Sequence, residues 1–241
     1  CRVAFGSACS HRKLSLQLKH TTVWQDMEER MKLGCEQTYE WVVKLLQECD
    51  FGESAKRLGL EQSGGGKILV NFLDRKYAVT KSGIELCAEK TVWAFKKKGH
   101  EYDVKSVIGY YVLSDARAEP LNDFCPLSSF SHGIFDEGRS GWMNDALTKV
   151  YGSDYNKFRE SAGRLGMLFE GEKSAGQYVW AYSLLPKIPV KIVYYEGDDE
   201  FPSKLQILYD KSAIQFYKFE PLAALHGCFT AGLAAIGDAA A

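Results

Sequence analysis

Acidic residues are missing from the first 25 positions of this 241-residue chain, where Arg2, Arg12, Lys13 and Lys19 stand. The whole chain holds 30 Lys and Arg against 31 Asp and Glu, a net charge of −1. That balance is therefore a cancellation between a basic leader and an acidic body. A near-neutral total with mixed signs provides no broad cationic face for nucleic acid. A long uninterrupted apolar run is also missing. The best candidate, Leu222 to Ile236, contains His226 and as a helix is about 22 Å long, short of a ~30 Å hydrocarbon core. No C-x-x-C pair occurs. The seven cysteines (Cys1, Cys9, Cys35, Cys49, Cys87, Cys125, Cys228) are odd in number and widely spaced. This excludes a disulfide scaffold or a zinc ribbon and fits free thiols in a reducing compartment. Cys9, His11 and His20 offer three metal ligands, but a closed site wants a fourth.

The motifs of common catalytic sites are likewise absent. Gly64-Gly65-Gly66-Lys67 fails as a phosphate loop, because residue 61 is Glu and Ile68 stands where Ser or Thr is needed. Gly138-Arg139-Ser140-Gly141 lacks the spacer of a nucleophile elbow. Cys125 or Cys228 with His132 or His226 is the remaining nucleophile pairing. His226 and Cys228 lie two apart on a helix and point different ways. The expectation is no catalytic residue, no metal and no cofactor.

What is present reads as a folded body behind a separate leader. Apolar residues make up 46% and aromatics 13%, enough for a real core. Residues 1–22, basic and rich in Ser and Thr, have the composition of a transit peptide or a flexible tail. The body, 23–241, is expected to be one α+β domain with a long amino-terminal helix, antiparallel β-hairpins and a carboxy-terminal helix. Trp24, Met27, Met31, Cys35, Thr38, Val42, Leu45 and Cys49 fall on one helical stripe. A second helix runs from Phe51 and closes at Gly59. The runs 67–73 and 76–80 around Asp74-Arg75 read as a hairpin, with a third strand at Ile84–Cys87. Val104, Val107, Ile108, Tyr111 and Val112 mark another helix. Helices follow at 143–151 and 154–165, with Ser153 or Asp154 as cap and Gly166 as stop. Strands follow at 177–185, 190–195 and 204–210. The last helix is expected from Pro221, with Ala223, Gly227, Ala231 and Ala235 as a smooth face.

Three features suggest contact surfaces: a long aromatic-bearing loop, an acidic turn, and the basic residues of the amino-terminal tail, which could dock on an acidic neighbour. Residues 114–142 form a long irregular loop bearing Phe124, Phe130, Phe135 and Trp142, and such loops are often functional. The turn Asp198, Asp199, Glu200, Phe201, preceded by Glu196, is the densest carboxylate cluster; it reads as a solvated turn, a protein contact or a hard-cation site. Tyr178, Trp180 and Tyr182 form an aromatic stripe, suited to cross-strand packing or to stacking on a ligand. Lys96-Lys97-Lys98 reads as solvated surface.

The string Pro186-Lys187-Ile188-Pro189, then Tyr194-Tyr195-Glu196-Gly197-Asp198-Asp199-Glu200-Phe201-Pro202-Ser203 and Leu208-Tyr209-Asp210-Lys211-Ser212-Ala213, resembles domain-of-unknown-function family 3786, over about residues 36–236. The resemblance implies one α+β domain and supplies no catalytic residues. Val3-Ala4-Phe5 is similar to the presequence motif of red-lineage algal plastids. This implies a soluble accessory subunit of photosystem I at the stromal face of the thylakoid. Its partners would be protein subunits of a membrane-associated complex, with no nucleic acid and no membrane span of its own. Partner-binding residues are then Phe124, Phe130, Phe135, Trp142, Asp198, Asp199, Glu200 and Phe201. The alternative is a small-ligand or metal site shared by the 114–142 loop and the acidic turn 196–203.

Overall fold

A computed structural model describes residues 34–90, 92–95, 99–131, 146–152 and 154–239. The transit-peptide-like segment 1–22, the Lys96–Lys98 run, His132, Phe135 and Trp142 lie outside the described residues.

Residues 34–48 form helix α1. Its buried face is Val42 and Leu46, with Tyr39 packed beside them. This corrects the expected stripe in part: Trp24, Met27 and Met31 lie outside the described residues, Val42 is buried as expected, and Thr38 and Leu45 are exposed. Leu45 is 38% exposed and Trp41 57%, because α1 turns its Tyr39 side toward the sheet. There the Tyr39 hydroxyl accepts from Ile84 N at 2.7 Å. Helix α2 (Phe51–Leu58) begins where Asp50 Oδ1 accepts from Gly52 and Glu53 N–H. It ends at Gly59, whose φ of 68° is left-handed.

A four-stranded antiparallel meander follows in chain order: β1 (Glu61–Ser63), β2 (Lys67–Phe72), β3 (Arg75–Thr80) and β4 (Gly83–Glu89). The glycine run 64–66 forms the β1–β2 turn, with Gly65 and Gly66 at φ 78° and 72°. Leu73 turns β2 into β3 at φ 56°. Its side chain is buried against α7 (Phe219–Ala239), at Gly232. That contact offsets the cost of a left-handed non-glycine residue.

Helix α3 (His100–Leu113) buries the expected Val104, Val107, Ile108, Tyr111 and Val112. Residues 114–123 then run as a strap without regular structure. They lead to strand β5 (Phe124–Pro126) and a 3-10 turn, Leu127–Phe130. Helix α4 covers residues 146–151. Asp154 Oδ1 caps α5 (Tyr155–Leu165) by accepting from Lys157 N, and Gly166 closes it.

Strands β6 (Leu168–Ser174), β7 (Gln177–Leu185), β8 (Ile188–Tyr195) and β9 (Lys204–Asp210) join β5 in a second antiparallel sheet, ordered β5-β9-β8-β7-β6. Its inner face carries Trp180, Ile192 and Ile207, aligned by register. Helix α5 covers that face: Tyr155 stacks on Tyr178 at 4.0 Å, and Phe158 meets Trp180 edge-on. The aromatic stripe is thus spent on packing.

A short helix α6 (Ala213–Phe216) precedes α7. Helix α7 begins two residues before the expected Pro221, which the first turn tolerates because proline lacks an N–H and an N–H at that position would have no helical acceptor. With 21 residues, α7 is by length and composition long and apolar enough to cross a membrane, unlike the shorter segment expected. Yet most of it is buried inside the protein. Tyr182 stacks on Phe229, and the Tyr151 hydroxyl donates to Leu233 O. Close approach occurs at Gly232 and Gly237, whereas Gly227 on the expected smooth face has open space beside it. The described body is therefore an α+β fold with a buried carboxy-terminal helix.

Candidate functional site

The β8–β9 turn is shaped by its own residues. Asp198 Oδ1 accepts from Phe201 N at 2.7 Å and from Glu200 N at 2.9 Å. Those donors hold the Asp198 carboxyl below its ordinary range. Asp198 N donates in return to Phe201 O. A side chain at Gly197 would meet Ser203 N at 2.6 Å, so the chain doubles back tightly only with glycine there. This self-bonded turn holds Phe201 68% exposed, while Asp199 and Glu200 face water.

The turn is also tied sideways. Glu196 N donates to Gly176 O in the β6–β7 turn, and the Tyr178 hydroxyl donates to Glu196 Oε2 at 3.3 Å. One end of the sheet therefore combines carboxylates with the stacked Tyr155–Tyr178 pair and Phe201. A fixed aromatic beside charge is a suitable anchor for a protein partner.

The loop residues lie elsewhere. Phe124 pairs with Asp210 and Pro126 with Leu208, at the far end of β9 from the turn that precedes Lys204. Six residues of strand separate them, about 20 Å. Among the described residues, the loop and the acidic turn do not converge on one site. Phe130 is only 8% exposed; its ring packs into the core, contrary to the expectation of a surface anchor. Phe124 is half-buried, with Lys191 Nζ 4.7 Å from its ring centroid.

Asp210, in the strand pairing with Phe124, was not singled out in the sequence as a structural anchor. Its buried carboxylate accepts from Leu121, Asn122 and Ser212 N–H, at 3.0, 2.6 and 2.9 Å. Burial alone would raise its pKa, but these backbone donors outweigh it and the net shift is downward. Asp210 thereby fastens the strap to the sheet. Its place in Leu-Tyr-Asp-x-Ser-Ala was the available signal.

His226 and Cys228 are both buried. The Tyr209 hydroxyl lies 3.2 Å from His226 Nδ1. Among the described residues, no group of three or more His, Cys, Asp or Glu is arranged to hold a metal ion.

The family profile for the domain of unknown function DUF3786 matches residues 50–231. The chain belongs to the DUF3786 family. The matched span runs from the cap of α2 through most of α7, so the DUF3786 region contains both sheets and the acidic turn. No curated protein and no solved structure matches this DUF3786 chain.

Proposed function

We propose that the chain is a non-catalytic accessory subunit that docks on a larger protein assembly through its acidic, aromatic-tipped β8–β9 turn. The observation that carries this reading is Phe201, held in solvent by a turn that Asp198 and Gly197 pre-form. A large exposed aromatic on a pre-ordered turn loses little conformational entropy on binding. The surrounding carboxylates favour a partner surface with basic groups.

The finer form of the proposal makes that assembly photosystem I, with this chain peripheral at the stromal face of an algal thylakoid. Its support is the acid-free composition of residues 1–25 and the sequence resemblance given above. The test is gentle solubilisation of thylakoids followed by native fractionation. Co-migration with photosystem I is expected, and release from it in Phe201→Ser. Co-migration with a different complex would sink the finer form. Migration only as a free monomer would sink the whole reading.

A further inference from the structure

The outer face of the four-stranded meander brings two lysines to one cleft. Directly opposed residues of an antiparallel pair share a face, so Asn71, Lys76 and Ala88 form one row across β2, β3 and β4. Lys90 follows Ala88 by two residues. Lys90 N donates to Asp74 O, which carries the β3–β4 pairing one step past the ends of both strands. Lys76 and Lys90 are therefore diagonal neighbours on this face, about 7–8 Å apart at the backbone and within reach of one bound group. Across the cleft stands β7, where the Tyr182 hydroxyl donates to Leu73 O at 3.3 Å. Leu165, at the end of α5, closes the side. The cavity holds roughly 450 Å³, within the range of small-molecule sites.

The charges around the cleft are unevenly matched, and that selects the ligand. Arg75 is already engaged: it pairs with Glu89 at 3.0 Å, and its guanidinium lies 3.6 Å from the centre of the Trp93 ring. Asp74 Oδ1 accepts from the Trp93 indole N–H at 2.7 Å. These four residues make a fixed wall. Lys76 is held loosely, 3.3 Å from Glu61 Oε2 with both side chains exposed, a pair that contributes little in water. Among the described residues, the Lys90 ammonium and the Asn71 side-chain amide have no partner. The available donors are thus two ammonium groups and an amide, a set that fits an anion. The available acceptor is Asp74 Oδ2, which fits a hydroxyl. Leu73, Leu165 and Ala88 supply the apolar part of the lining.

We propose that this cleft binds a small hydroxylated anion, with its phosphate or carboxylate group between Lys76 and Lys90 and a hydroxyl on Asp74. A bare inorganic ion would leave most of the cavity empty. The site shares no residue with the β8–β9 turn, so the inference does not rest on the accessory-subunit reading, and its failure would leave that reading intact.

The test is titration of the full chain, followed in amide nitrogen–proton NMR spectra, with glycerol 3-phosphate, glucose 6-phosphate and gluconate. Neutral glucose and inorganic phosphate are the controls. At least one of the three hydroxylated anions is expected to shift the amides of Asn71, Lys76, Ala88 and Lys90. Preference for the esters assigns a phosphate, and preference for gluconate assigns a carboxylate. Lys90→Gln is expected to weaken binding roughly tenfold, the loss of one charge-assisted hydrogen bond. Glu61→Gln, which frees Lys76, is expected to tighten it about twofold. Lys90 and Glu61 are exposed, so neither substitution threatens the fold. Arg159→Gln removes an exposed charge on α5 outside the cleft and is expected to leave binding unchanged. No shift with any of the anions up to ~10 mM would overturn the proposal. So would equally tight binding of glucose or inorganic phosphate, shifts confined to other residues, or equal losses from Lys90→Gln and Arg159→Gln.

Discussion

The Tyr209 hydroxyl lies 3.2 Å from His226 Nδ1, and both side chains are buried where β9 faces α7. Burial lowers the His226 pKa to about 4. In the unfolded chain the same imidazole titrates near ~6.5. The unfolded state thus takes up a proton that the folded state refuses. The His226 contribution to stability is full above about pH 6.5 and is lost as the pH falls toward 4, by roughly 3 kcal/mol. Urea unfolding at a series of pH values from 7.5 to 4.5 should show this slope. In His226→Gln the slope should be shallower by that amount. An identical slope in the variant would assign the acid sensitivity to other groups.

Helices α1 and α3 touch at Gly109. A Cβ there would overlap Val42 Cγ1 and come within 3.3 Å of Ile84 Cδ1. Gly109→Ala should therefore cost about 1–3 kcal/mol through overpacking, although alanine is the better helix former. Combining it with Val42→Ala should recover part of that loss. Thermal unfolding of the two single variants and the double variant measures the coupling. Strict additivity would mean that the helices do not meet at these residues.

The Asp210 clamp makes a local and a global prediction. Asp210→Ala leaves the amides of Leu121, Asn122 and Ser212 without their acceptor. The expected loss is about 2–3 kcal/mol. Amide exchange should quicken first at residues 121–123, where Lys211 N–H also holds Asp123 O. Because the folded pKa is depressed, the clamp's contribution is present above the ordinary carboxylate range and fades as acidification passes the folded value. Unchanged exchange in the strap would show that it is held by other contacts.

The acidic turn should behave in the opposite way. Asp198→Ala removes the acceptor of two amides on an exposed loop. Protection at Glu200 and Phe201 should disappear, while the midpoint of thermal unfolding stays within about 1 °C, as for surface changes away from the core. Phe201→Ser should likewise leave stability unchanged while weakening partner binding. A large drop in thermal stability from either substitution would make the turn structural instead of a contact.

Much of the fold was legible because its signals are local. Asp50 and Gly59 bracket α2, and Asp154 and Gly166 bracket α5, by bonds that span only a few residues. Strands β7 and β9 were legible from their β-rich runs, and the acidic turn from its composition. Strand β6 was not, since Leu168–Ser174 is polar, irregular at Gly171 and mostly exposed. It is a strand because β7 offers it a free edge. Strand β1 has three exposed residues and is likewise defined by its partner.

The sequence by itself determined where most elements begin and end, that the body is α+β, and that carboxylates and Phe201 gather on one turn. Caps, turns and side-chain periodicity act over a few residues and need no distant partner. Tertiary structure alone decided which side of α1 is buried, that Phe130 belongs to the core, and that the smooth side of α7 is not its close-packing side. It also put the described part of the loop and the acidic turn at opposite ends of β9. Those outcomes depend on strand order and on contacts between residues far apart in the chain, for which local pattern carries no energy term.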